Sequence, residues 1–285
     1  MTNDFVASDE LTIVVNTCDA YSDVLTVFFA AMKLHWPDCN CPVVINTEKN
    51  NCYNFDGVTV HNFSSDTGAD QWGGRLVSTL ESIDSEFVLM LYDDYILEAS
   101  VDQKRLINAF ELLKRQANAS VVYLTSVGFS SVQDPGGDVN FSIVKDYSDY
   151  RLNSAPAIWR KSDLLHYTSE RDNPWAWEVF GSYRTFGDGK IFYCPSTEKD
   201  DVFIYNYKKG GAIYRGKWVR DVVEVIERTL SVSVDYEVRG FSSSVQNEKR
   251  SLGWKLSFLK TGYQMIGMKV VFFIFRYVRA KLNGR

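Results

Sequence analysis

Phe87-Val88-Leu89-Met90-Leu91-Tyr92-Asp93-Asp94-Tyr95 is an uncharged apolar run that ends in two adjacent carboxylates. A short run with neither alternation nor helical period fits a strand buried on both faces, as in a parallel sheet covered by helices. Paired acids where such a strand leaves the sheet are costly to desolvate without a cation or hydrogen-bond donors. A hard divalent ion carrying a diphosphate suits them, because Mg²⁺ or Mn²⁺ takes oxygen ligands and is commonly shared with substrate phosphates. On a persisting strand the two side chains point apart, so one acid reaches the metal and the other a ribose hydroxyl or a loop amide. The alternative is that both cap the loop that follows.

Working outward, residues 11–15 form a second buried run, closed by Asn16 and Thr17. Residues 21–36 then place Val24, Val27, Phe28, Ala31 and Leu34 at helical spacing until Pro37 stops the pattern. Strands are predicted at 42–45, 58–60 and 121–124, and helices at 72–83 and 101–116. Strands alternating with helices predict an α/β fold with a Rossmann-like, mostly parallel sheet. Such sheets bind ligands beyond the carboxyl ends of their strands, here after Val15 and Tyr92.

From 128 to 149 the text turns to Ser, Gly, Asp and Pro, with Asp134-Pro135-Gly136-Gly137 a strong turn. A strand at 155–159, a short helix from 162 to 166 and a strand at 190–193 follow. Pro174 opens another helix, on which Trp175, Glu178 and Val179 share one side. A Gly- and Lys-rich loop spans 208–217, and an amphipathic helix 218–230. The expected organisation is one domain over 1–245, with a first half to about 125 and a second half from about 126, then an extension over 246–285.

The 285 residues, 45% hydrophobic and 24% charged, suit a globular protein with a sizeable core. A net charge of −5 argues against a nucleic-acid-coating protein, which needs a basic surface. Yet residues 251–285 carry Lys255, Lys260, Lys269, Arg276, Arg279, Lys281 and Arg285 and no acid, among aromatic and aliphatic residues. Such a tail meets an anionic membrane surface, or packs on the preceding domain or a second subunit. Five cysteines without CxxC spacing indicate neither a disulfide framework nor structural zinc. The acidic first ten residues are unlike a secretory signal, and no apolar run reaches the ~18 residues of a spanning helix. The expected setting is cytoplasmic, with the inner face of the cytoplasmic membrane as the place where the tail would dock.

Asn16-Thr17-Cys18-Asp19-Ala20-Tyr21 after the first strand, Trp72-Gly73-Gly74-Arg75-Leu76 before the second, and Tyr92-Asp93-Asp94-Tyr95 at its end together resemble a GT-A glycosyltransferase. The resemblance is to bacterial enzymes of capsule, O-antigen and other surface polysaccharides, and it extends through Ala157-Ile158-Trp159-Arg160 and Asn173-Pro174-Trp175-Ala176-Trp177-Glu178. It implies a nucleotide-diphosphate-sugar donor near Thr17, Asp19 and Tyr21, with Asp19 on a base or ribose and Tyr21 stacked on a pyrimidine. Asp19 capping the next helix fits equally. Arg75 would neutralise phosphate or pin the carboxylates, and Trp72 would join the donor side or simply pack.

The resemblance also implies transfer of a sugar to a saccharide or lipid-linked saccharide, with inversion. The base would be Glu178, partly desolvated by Trp175 and Trp177, which could also form an acceptor platform. Asp172 is the reserve candidate, and pairing of Glu178 with Arg184 or Arg160 is the structural alternative. Asp93 and Asp94 would hold a divalent metal, and Lys208, Lys209, Arg215 and Lys217 would close over the leaving diphosphate. Many GT-A enzymes add a late His ligand, but none follows His166 here. A sugar-nucleotide nucleotidyltransferase is a rival, opposed by the lack of a Gly-rich basic loop after the first strand. A non-catalytic membrane-peripheral binding protein is another.

Overall fold

The computed structural model describes residues 10–49, 53–55, 58–61, 71–206, 210–230, 232–242 and 251–282. The two apolar runs that end in Asn16-Thr17 and Asp93-Asp94 lie side by side as β1 (Leu11–Asn16) and β4 (Phe87–Tyr92), parallel and in register to Asn16↔Tyr92. Around them β2 (Val43–Asn46), β3 (Val58–His61), β5 (Ala119–Tyr123), β6 (Ser131–Gln133), β7 (Phe141–Val144), β8 (Ala157–Arg160) and β9 (Ile191–Pro195) complete the sheet. Its order is β3-β2-β1-β4-β8-β5-β9-β7-β6. Strands β2, β3 and β4 run with β1, whereas β8 lies antiparallel between β4 and β5, and β7 antiparallel to β9. Reckoned from β1, only β7 and β8 of these strands run backwards, so the sheet is mostly parallel in strand direction.

Period-two alternation divides the side chains between two layers. Ile13, Val15, Leu89 and Leu91 join Phe28 and Phe110 on one face; Val14, Val88 and Met90 join Trp72, Leu76, Trp159 and Trp177 on the other. The first layer is covered by α1 (Ser22–His35), α3 (Gln103–Arg115) and α6 (Arg220–Thr229), the second by α2 (Trp72–Glu81) and α4 (Lys161–Tyr167). α3 starts two residues later than its apolar pattern suggests because Asp102 caps it, accepting from Arg105 N at 3.0 Å. α5 (Pro174–Val179) has Pro at its first position and Asn173 as its cap, accepting from Ala176 N at 2.8 Å.

At the start of α2, Gly73 N donates to Asp172 O at 3.0 Å and Gly74 N to Glu170 O at 3.1 Å, satisfying two first-turn amides of that helix. A Cβ on Gly73 would come within 2.0 Å of Ser169 O, so only glycine lets the loop approach this closely. The Trp-x-x-Arg-Leu helix is thereby fixed against the segment that leads into α5.

The C-terminal segment forms α7 (Leu252–Ile266) and α8 (Val270–Leu282), joined at Gly267 with φ +57°. Helical residues Leu252–Arg279 are together long and apolar enough to cross a membrane by length and composition, unlike the expectation from uninterrupted apolar runs. Both helices nevertheless pack on α5: Phe258, Leu259, Phe273 and Val270 meet Ala176, Val179 and Phe180. Gly262 lies so close to the Phe180 ring that a Cβ would approach to 2.6 Å. The expected boundary at 245–246 lies outside the described residues.

Candidate active site

The ends of β1 and β4 bring Thr17 beside Asp93. Asp93 N donates to Asn16 O at 3.3 Å, and the Thr17 hydroxyl donates to the Asp93 carboxylate. Asp93 is buried, 3% exposed, and Asp94 is half-buried next to it. Burial raises the proton affinity of both; the charge of Asp94 raises that of Asp93 further, while Thr17 and Arg239 oppose the rise. This is the signature of a carboxylate pair that a positive charge would relieve. A two-stranded hairpin, β10 (Ile213–Tyr214) and β11 (Lys217–Trp218), follows a clasp on Asp94. Ala212 N donates to Asp94 O at 2.8 Å, and Gly211, at φ +89°, approaches so near that a Cβ would lie 2.8 Å from Asp94 Oδ2.

Further residues expected on the donor side sit on the loop after β1 and at the start of α2. Asp19 does not cap α1; its carboxylate accepts from Thr47 Oγ1 at 3.0 Å and from Lys49 N at 3.1 Å, tying the loop after β1 to the loop after β2. Arg75 is buried, and its guanidinium lies 4.0 Å from Glu48 Oε1, whose charge acts on it most strongly. Cys18 sits among these groups, its thiol pushed up to about 11 by burial and then by Asp93 and Glu48. Tyr21 keeps a half-exposed ring, with the Arg239 guanidinium 4.7 Å from its centroid. Arg239 is bound to Asp23 through two nitrogens and donates to Ala20 O at 2.7 Å. Its charge also acts on Asp93, so it supplies a cation that sequence reading missed.

Glu178 is connected to the carboxylate loop through one residue. Its Oε1 accepts from Ser154 N at 2.7 Å and from Ser154 Oγ at 2.5 Å, and Ser154 Oγ lies 2.9 Å from the Tyr95 hydroxyl. Tyr95, immediately after Asp94, is held in turn by the Tyr205 ring at 4.5 Å. Burial raises the proton affinity of Glu178, with the two Ser154 bonds opposing. The alternative ion pairs do not form: Arg184 goes to Asp172 and Arg160 to Glu86, the latter at 2.6 Å.

Several expected site residues lie elsewhere. Asp172 is fully buried, accepts from Arg184 Nη2 at 2.8 Å and braces the loop under Gly73, so it is a structural acid and not a reserve base. Trp177 is fully buried between Trp72 and Trp159, with ring centroids 5.9 and 6.0 Å away, and presents no face to an acceptor. Trp72 belongs to the same cluster, is buried, and packs there beside Tyr92, the residue before Asp93. Trp175 is exposed but stacks on Trp254 and Phe258, each at 4.6 Å. Arg215 and Lys217 are exposed on the hairpin beyond Gly211, while Lys208 and Lys209 lie outside the described residues. Among the described residues no three His, Cys, Asp or Glu side chains converge as a metal cluster. The paired carboxylates of Asp93 and Asp94 have the chemistry of two oxygen donors, and a cation held there would take its remaining ligands from diphosphate and water.

No family model and no curated protein matches the sequence. Among solved structures, the bifunctional IspDF from Campylobacter jejuni is 13% identical with a TM-score of 0.41, over 70% of this chain and 53% of that one. The chain thus spans about half the length of IspDF. TarS 1-349 from S. aureus is 15% identical with a TM-score of 0.38, over 92% of this chain and 82% of that one. The galactosyltransferase LgtC, in complex with donor and acceptor sugar analogues, is 11% identical with a TM-score of 0.35, over 54% and 59%. These likenesses are partial, and the chemistry of the chain rests on its own residues.

Proposed function

We propose that this chain is a GT-A-like glycosyltransferase of surface-polysaccharide synthesis. It transfers a sugar from a nucleotide-diphosphate donor to a saccharide or lipid-linked saccharide, with inversion. The observation that carries this reading is the Tyr95–Ser154–Glu178 connection, which joins a carboxylate pair suited to a diphosphate-bound cation to a carboxylate that, among the described residues, has no cationic partner and suits a hydroxyl.

In the reaction, the acceptor hydroxyl attacks the anomeric carbon as the bond from that carbon to the diphosphate oxygen breaks. The hydroxyl proton passes to the Glu178 carboxylate, and the nucleoside diphosphate leaves with the bonding electrons. A raised proton affinity makes Glu178 a stronger base than an exposed glutamate, and its Ser154 bonds fix its orientation. Asp93 and Asp94 would hold the divalent cation, which when bound supplies positive charge to the departing diphosphate. Arg239 adds a fixed charge on the same side, Tyr21 offers its ring to a base, and Arg215 and Lys217 lie on the hairpin that would close over the phosphates.

Calorimetry with UDP and with GDP, each with and without Mn²⁺, tests the donor assignment. Saturable binding of one nucleotide that strengthens with Mn²⁺ is expected. Absence of binding under all four conditions would overturn the assignment and leave a non-catalytic protein.

The exposed face of α7 and α8 carries Leu256, Phe272 and Phe275, each more than 60% exposed, and the tail holds basic residues without acids. This combination supports docking on an anionic membrane surface at the cytoplasmic side. The full chain should therefore co-sediment with vesicles containing phosphatidylglycerol and remain in the supernatant with phosphatidylcholine alone. Binding should weaken in 1 M salt, where screening shortens to ~3 Å. Equal partition onto both vesicles would remove the electrostatic part of this proposal.

A further inference from the structure

Between α5 and the C-terminal helices lies a cavity of about 600 Å³. Trp175 and Val179 of α5 form one wall; Trp254, Phe258, Leu259 and Phe273 form much of the rest. Three of these rings make a stacked wall, since Trp254 and Phe258 lie 5.0 Å apart and both stack on Trp175 at 4.6 Å. Well-packed interiors contain few voids larger than a water molecule, and an apolar void does not hold water well. A cavity of this size and lining instead has the dimensions and chemistry of a small-molecule site.

Polar groups enter the lining from a neighbouring stretch. Asp149 is paired with Arg276 at 3.1 Å, and Tyr150 follows it with φ +56°, an uncommon conformation for a tyrosine. Tyr150 feels the charge of Glu178, and Glu178 lies on α5 between the two cavity residues Trp175 and Val179. The apolar space is therefore adjacent to the group assigned as base. On its outer side α8 exposes Phe272 and Phe275. A hydrocarbon chain could pass from a bilayer into the cavity without losing apolar surroundings.

We propose that this cavity receives the hydrocarbon chain of an amphiphilic acceptor, whose polar head then lies beside Glu178. The inference deepens the glycosyltransferase reading by assigning the acceptor to the lipid-linked class, and it rests on that reading for the role of the head. The cavity confers this selectivity because each methylene moved from water into an apolar site adds a favourable contribution to binding. A free saccharide cannot draw on that contribution.

Farnesyl phosphate titrated into the full chain, followed by calorimetry, tests the proposal, with inorganic phosphate as the headgroup control. Saturable binding of farnesyl phosphate without binding of phosphate is expected. Leu259→Trp, which fills the cavity, and Val278→Trp, at its more exposed lining, should each weaken binding by about tenfold or more, a difference of ~1.4 kcal/mol. Nucleotide affinity should stay unchanged in both, which also shows that each variant is folded. Three results would overturn the proposal: non-saturating uptake, unchanged affinity in both variants, or self-association that both variants abolish, which would make a second copy the occupant. Chain binding without nucleotide binding would instead sink the transferase reading and leave the cavity assignment standing.

Discussion

Glu178→Gln is expected to reduce turnover by roughly 10²–10⁴-fold, the usual contribution of a positioned general base. Nucleotide affinity should be unaffected, because the substituted atom lies on the acceptor side of the Tyr95–Ser154 connection. Glutamine can still accept from Ser154 through its carbonyl oxygen, so the local geometry survives and the lost property is proton affinity. The pH profile provides a second readout. Burial raises the proton affinity of Glu178, so the wild-type protein should lose activity as pH falls through a value above the ordinary glutamate range. The residual activity of the variant should lack that acidic limb. Full turnover in Glu178→Gln, or an acidic limb that persists in it, would remove Glu178 as the base.

The central strands and the carboxylate pair could be read directly from the sequence because their signal is local. An uninterrupted apolar run ending in acids has few other uses, and β1 and β4 lie where their runs predict. The direction of β8 was not legible: Ala157-Ile158-Trp159-Arg160 pairs equally well by composition in either orientation, and its antiparallel place depends on the chain path around it. Trp177 could have been excluded. Two residues along a helix is a turn of about 200°, so a residue two places after Trp175 cannot share the face that Trp175, Glu178 and Val179 occupy. Its burial between Trp72 and Trp159 follows from that spacing. Arg239 had no such signal, because it meets Asp23 across 216 residues. Ser154 was equally silent, since a loop serine becomes informative only once Tyr95 and Glu178 are known to flank it.

Asp94→Asn should raise the melting temperature of the ligand-free protein above neutral pH while eliminating cation-dependent nucleotide binding. Burial pushes the Asp94 carboxyl up to about 7, and its charge in turn raises the proton affinity of the buried Asp93. An acid whose proton affinity is higher folded than unfolded keeps its proton longer in the folded state. Stability then falls as pH rises from its unfolded value, near 3.8, to its folded value, about 7, and stays reduced above that interval. The substitution removes one such acid and the like charge beside the other. The two proteins should thus melt alike near pH ~4, and the variant should melt higher near pH ~8, by roughly 2–4 °C for each kcal/mol relieved in a domain of comparable size. Mn²⁺ with the nucleotide should reverse the order: it binds the folded wild type and stabilises it by ~2.7 kcal/mol at a hundred times the dissociation constant, but finds one donor missing in the variant. A variant that melts lower at every pH, yet binds nucleotide with Mn²⁺ as tightly as wild type, would show that Asp94 serves the clasp with Gly211 and not a cation. The crossover between ligand-free and loaded stability distinguishes a carboxylate held at an energetic cost for function from one that merely holds a loop.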